Sequence, residues 1–166
     1  MPVVYNCGGY EKISSLGLIK DAVQIYLPDF KYQSAQLAQK LSDAPDYPSV
    51  ALDAIGYMLS QRGVNTFDDQ GIMTSGVIIR HLVLPGYTDE SMKALKALRD
   101  NFGKDITLSI MSQYTPVAQL PPPLDRPVTE DEYELVLDYA DFLGFTKGFR
   151  QEGGAVGESF IPQFKL

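Results

Sequence analysis

Polar side chains inside apolar runs are where chemistry is most readily sought, because burial makes them costly. Arg80 stands within Val77-Ile78-Ile79-Arg80-His81-Leu82-Val83-Leu84. A guanidinium in such a run needs an anion beside it, unless it stands at the strand end and its long stem reaches solvent. A ligand carboxylate could supply that anion, and so could Asp29. Asp29 and Lys31 follow a second apolar run, Ala22 to Leu27, and stand two residues apart. An extended chain points both the same way. Lys31 is then either the partner of Asp29 in a weak loop ion pair or a free cation. A free lysine could hold a ligand carboxylate or form a Schiff base with a carbonyl substrate. Asn6 ends a third run, Val3 to Tyr5. Ser109, Ser112 and Gln113 lie near the end of a fourth, Ile106 to Met111. Asn6, Asp29, Lys31, Arg80 and Gln113 make one candidate binding wall.

Other chemistries are closed off by composition. His81 is the only histidine, so a multi-histidine metal site is excluded and a Ser-His-Asp triad could use no other. It alternates with Arg80, so the two point to opposite faces, and a structural role against helices is expected for it. Cys7 is the only cysteine. That excludes a disulfide within the chain and a metal site built mainly from thiolates. With no basic neighbour in sequence, Cys7 reads as a small buried hydrophobe. Gly8-Gly9 is too short for a phosphate loop, and no G-x-G-x-x-G or Walker motif occurs.

The elements that must position these residues alternate between strand and helix. Helices are expected at 11–20, at 34–41 with Leu37 and Leu41 on one face, and after Ser49 as cap. In that third helix Ala51, Leu52, Ile55, Met58 and Leu59 recur at helical spacing. The residues from Asp43 to Pro48 read as a turn. Gly76 precedes the strongest strand, Val77 to Leu84, closed by Pro85-Gly86. A helix follows from Asp89 or Glu90, with Met92, Leu95 and Leu98 aligned. The stretch from Tyr114 to Arg126, with Pro116, Pro121, Pro122 and Pro123, reads as a connecting loop rather than a ligand for a proline-recognising domain. Thr129 and Glu132 form a capping box for a last helix whose stripe is Tyr133, Val136, Leu137, Ala140 and Leu143. Gly144 suits its C-terminal cap. Phe145 to Gln151 reads as a final strand before a glycine-rich tail.

Near-continuous apolar strands between helices signify a parallel sheet, whose ligands sit at the carboxyl ends of the strands. The class is α/β with four to five strands. A closed eight-stranded barrel needs ~250 residues, so a chain of 166 is a small open sheet or a piece of a barrel, in a single unit over 1–166. Charged residues at 21% and a net charge of -7 leave no basic footprint for nucleic acid. No apolar run reaches the roughly 18 residues of a membrane span, and Met1 to Tyr5 does not read as a secretory signal. A cytoplasmic location is expected from the cysteine usage.

Four motifs, in order, carry a family resemblance. They are Val3-Val4-Tyr5-Asn6-Cys7-Gly8-Gly9-Tyr10-Glu11, Ile25-Tyr26-Leu27-Pro28-Asp29-Phe30-Lys31-Tyr32, Val77 to Gly86, and Leu108-Ser109-Ile110-Met111-Ser112-Gln113-Tyr114. Together they resemble successive strand ends of radical S-adenosylmethionine proteins related to pyruvate formate-lyase activase. The resemblance implies a partial (β/α)6 barrel, of which this chain is the C-terminal portion, supplying roughly strands three to six. It implies S-adenosylmethionine on a 4Fe–4S cluster as cofactor, and a 5′-deoxyadenosyl radical that takes hydrogen from a glycine of a partner enzyme. Asp29 and Lys31 match an Asp-x-Lys motif that contacts S-adenosylmethionine or the substrate peptide. Arg80 matches a pocket arginine, and Asn6 and Gln113 match pocket positions. The family's Cys-x3-Cys-x2-Cys and its Gly-Gly-Glu strand are not in the chain. Alone it is therefore expected to bind no cluster and to do no radical chemistry. Its expected partners are a glycyl-radical enzyme or another protein or peptide substrate, and a second copy through an exposed barrel edge. The alternatives are a non-catalytic binding or scaffold half-barrel, and a small α/β enzyme using Lys31 as a Schiff-base lysine.

Overall fold

A computed structural model describes residues 1–116 and 120–150. Gln151 and the glycine-rich tail, and part of the proline-rich loop, lie outside the described residues. The strands are β1 (Val4–Cys7), β2 (Ile25–Pro28), β3 (Thr66–Phe67), β4 (Met73–Leu82), β5 (Thr107–Met111) and β6 (Gly148–Arg150). The helices are α1 (Ile13–Ile19), α2 (Ala35–Ser42), α3 (Tyr47–Arg62), α4 (Thr88–Phe102) and α5 (Glu130–Phe142). The sheet runs β1-β2-β4-β5-β6 with every neighbour parallel, and β3 pairs antiparallel with the start of β4. The class is α/β with a parallel sheet, as the alternating runs require.

Each new parallel strand is added beside the previous one. Right-handed crossovers then put the connecting helices on a single side. Burial agrees. Tyr26, Val77, Ile79, His81, Leu108 and Ile110 are buried, and the apolar ones share one core with Leu16, Ala51, Ile55, Met58, Leu95, Leu98 and Val136 of the helices. Fully burying one such aliphatic side chain contributes about 1.5–3 kcal/mol. The alternate residues face the other way. Ile25, Met73 and Ile78 form a small separate cluster there with Val4, Leu27 and Phe149. That open face carries the polar strand ends.

Three elements differ most from the sequence reading. β4 begins at Met73 rather than Val77, and the β3 hairpin was not anticipated. Thr74-Ser75-Gly76 lacks an apolar pattern, and Gly76 has a positive φ of 144°. The hairpin is held instead by Asn65. Its side chain accepts from the Val77 amide at 2.9 Å and donates to the Val77 carbonyl at 3.3 Å and to Thr107 Oγ1 at 2.8 Å. A Cβ on Gly76 would stand 2.0 Å from Asn65 Oδ1, so only glycine admits that clasp. Thirdly, α3 starts at Tyr47 and not after Ser49. Pro48 sits in its first turn, where its missing N–H costs nothing, and the Ser49 hydroxyl donates to the Asp46 carbonyl at 2.9 Å.

The capping box of Thr129 and Glu132 is present. Glu132 also takes both guanidinium arms of Arg126 at 2.8 Å and the Gly86 amide at 2.7 Å. These bonds hold its carboxyl far below the usual carboxylate range. The residue thereby ties the loop after β4 to the start of α5. Buried Glu90 does the same for α4 and α2, accepting from the amides of Gln33 and Ser34.

Candidate functional site

The site is built by register. Arg80 pairs with Ser109 in the β4–β5 ladder, and an isolated parallel bridge joins Asp29 to Arg80. Asp29, Arg80 and Ser109 therefore form one row across the open face, at the carboxyl end of the sheet. Arg80 donates to Asp29 Oδ1 from Nη2 at 2.6 Å and from Nε at 2.8 Å. The two side chains are 24% and 22% exposed. They are screened less than a surface pair and are less desolvated than a core pair.

The Asp29–Lys31 loop pair does not form. Arg80 lies directly across the ladder, about 4.8 Å away strand to strand, while Lys31 is two residues further along its own chain. Lys31 makes no ion pair among the described residues. Its Nζ stands over the end of β1, 3.8 Å from where a Cβ on Gly8 would be. A half-buried ammonium without an ion-pair partner, on the same face as a paired carboxylate, has the chemistry to take an anion.

Asn6 is exposed in β1, in register with Leu27. Its neighbours Tyr5 and Cys7 pack on the helix-side core, so Asn6 takes the open side. Gln113 is exposed two residues beyond the end of β5. It is four residues past Ser109, or about 13 Å along an extended chain. Asp29 and Arg80 are thus brought into contact, Lys31 stands beside them at the end of β1, Asn6 lies a step below, and Gln113 lies beyond the row.

His81 is fully buried on the helix side. Nδ1 lies 2.7 Å from the Phe30 carbonyl and Nε2 lies 2.9 Å from Ser91 Oγ. A carbonyl can only accept, so Nδ1 carries the hydrogen and Nε2 accepts from the serine. Burial depresses its pKa. The ring is a neutral brace between β4, the end of β2 and α4. Cys7 is half-buried, and its thiol is pushed up to about 11, chiefly by burial. At pH 8 it should carry about a hundredfold less thiolate than a thiol at its ordinary value. Alkylation of the native protein should accordingly be slow and should accelerate as pH approaches 11. Fast modification at pH 8, followed by mass spectrometry, would show instead an open thiol.

A recess of about 240 Å³ lies between the starts of α2 and α4, lined by Ser34, Gln36, Leu37, Lys40, Tyr87 and Glu90. It does not include Asp29, Lys31 or Arg80, which lie on a sheet face and not in a pit. Among the described residues no group of three or more histidine, cysteine, aspartate or glutamate side chains could hold a metal ion. No helix among them is long and apolar enough to cross a membrane. The sequence reading missed Gly9 and Tyr47, which shape the row from below. Tyr47 stands in Ala44-Pro45-Asp46-Tyr47-Pro48, where turn residues mask it.

No family model matches the chain. Over 143 residues, 85% of its length, it is 27% identical to an uncharacterized protein of Methanocaldococcus jannaschii. The chain spans 38% of the length of that relative.

Proposed function

We propose that this chain is the C-terminal portion of a radical S-adenosylmethionine enzyme of the pyruvate formate-lyase-activase type. In this reading it supplies part of a (β/α)6 barrel, and its open face is the wall that holds cofactor and substrate. The observation that carries the reading is the row Asp29–Arg80 with free Lys31 at the carboxyl end of a parallel sheet wound in one direction. That is where parallel α/β folds place ligands.

Each residue has a distinct task. Lys31 binds a carboxylate, either the methionyl carboxylate or one on the substrate. Arg80 fixes the orientation of Asp29 through Oδ1, which leaves Oδ2 to accept from a ribose hydroxyl or a peptide N–H. Asn6 offers an amide on the same face. These groups suit a ligand carrying a carboxylate and several hydroxyls. When bound, S-adenosylmethionine supplies a carbon–sulfur bond for reductive cleavage; the residues present here would hold and orient it. An iron–sulfur cluster does not fit this chain. Its one cysteine is half-buried and packs toward the helices. The proposal therefore assigns the cluster, and the hydrogen abstraction from a glycyl-radical enzyme or other protein substrate, to the longer protein.

Titration calorimetry with S-adenosylmethionine tests the wall. Lys31→Ala should weaken binding at least about tenfold, the loss of one charge-assisted contact, with unfolding unchanged. Binding that is indifferent to Lys31→Ala would contradict the assignment. The lone cysteine favours a second reading, a binding half-barrel without chemistry. It shares the wall and differs only in whether any longer form turns over the cofactor.

A further inference from the structure

We infer that Tyr47 is a positioning residue that carries β2 past the end of β1 and so holds Asp29 and Lys31 on one face. The inference rests on the reading of those two residues as ligand-binding, but its geometry stands independently.

Strand β1 ends at Cys7, whose carbonyl takes the Asp29 amide at 3.0 Å. In a parallel ladder the next two groups of β2, the Asp29 carbonyl and the Lys31 amide, would both bond the residue at position 9. Gly9 has instead turned away with φ +80°. The Tyr47 hydroxyl takes over. It accepts from the Lys31 amide at 3.1 Å, and the carbonyls of Asp29 and Gly8 each lie 2.9 Å from it. One hydroxyl hydrogen serves the two carbonyls, and one lone pair serves the amide. A single side chain thus stands in for the missing length of strand. Without it the Asp29–Lys31 segment would keep pairing on only one side, where the Phe30 amide donates to the Arg80 carbonyl at 2.8 Å.

The ring is fixed as firmly as the hydroxyl. Tyr47 is 3% exposed. It stacks on Tyr10 with centroids 6.0 Å apart and on Phe30 at 6.4 Å, and meets Tyr32 edge-on at 5.6 Å. Tyr10 is itself pinned by a 2.6 Å bond to Asp46, the residue preceding α3. The hydroxyl is protonated and a donor at neutral pH, and burial moves its pKa further up.

The test is nitrogen-15 NMR on the intact chain without added ligand. Tyr47→Phe keeps the stack and removes only the hydroxyl. Lys31 amide exchange should quicken about tenfold, and the Arg80 Nε–Hε resonance should move toward that of free arginine as Asp29 loses its orientation. Tyr32→Phe, whose hydroxyl only meets Ser42 at 3.2 Å, should leave both signals in place. Unchanged Lys31 and Arg80 signals in Tyr47→Phe would overturn the inference. Should Tyr47→Phe fail to fold, the unmutated protein decides. Its Lys31 amide should be protected as well as that of Phe30, and exchange at an open-loop rate would overturn the inference. None of these readouts depends on S-adenosylmethionine, so a failure here is distinct from a failure of the proposed function.

Discussion

Alanine at position 9 should destabilise the protein by roughly 3 kcal/mol, as measured by urea unfolding. Two costs combine. Gly9 sits at φ +80°, a left-handed conformation that costs an L-residue about 1–2 kcal/mol. Its added Cβ would also stand 2.2 Å from the Asp29 carbonyl oxygen and 3.3 Å from the Tyr47 hydroxyl. The carbonyl is backbone and cannot swing aside, so either the β1–α1 loop or the Asp29 segment must move. Gly71→Ala provides the control. Gly71 has φ +76° with nothing within 4 Å of a built Cβ, so it should cost only about 1 kcal/mol. Equal losses at the two positions would mean that the loop yields freely and does not press on the site.

Asp29→Ala should cost about 2 kcal/mol and should be partly rescued by Arg80→Met. Along the open face Arg80 stands between Ile78 and Leu82, on a strand whose residues 76–79 are buried. Removing its carboxylate leaves a cation that solvent reaches only in part. Replacing both members removes that penalty. A double-mutant cycle should give a coupling of about 1–2 kcal/mol, measured in low and high salt. A coupling near zero would place the pair with ordinary surface ion pairs and would remove the fixed carboxylate from the site.

What was legible in the sequence was whatever a run of neighbours decides. A charged residue inside an apolar run called for an anion or a path to solvent, and Arg80 has the Asp29 carboxylate while keeping 24% of its side chain exposed. The alternation of Arg80 with His81 put them on opposite faces, which is where they lie. Thr129 and Glu132 announce a capping box three residues apart, and it forms. Most of the failures concern partners that no local pattern of neighbours displays. Whether Asp29 meets Lys31 or Arg80 depends on register across the sheet, which the sequence does not display. Asn65 clasps β4 from 12 residues away, and Arg126 reaches Glu132 through a loop without periodicity. Tyr47 looked like part of a turn because Pro45, Asp46 and Pro48 surround it. Its role appears only when the end of β1, the end of β2 and the start of α3 meet.

The proposed function gives this open face to a radical enzyme whose cluster is held by other residues of a longer protein. Reading the source DNA in frame upstream of Met1 tests it most directly. The account predicts a Cys-x3-Cys-x2-Cys segment followed by Gly-Gly-Glu, within on the order of a hundred residues, the size of the remaining barrel strands and helices. A stop codon with no such motif before it would contradict the radical assignment and leave Asp29, Lys31 and Arg80 as a binding wall without catalysis.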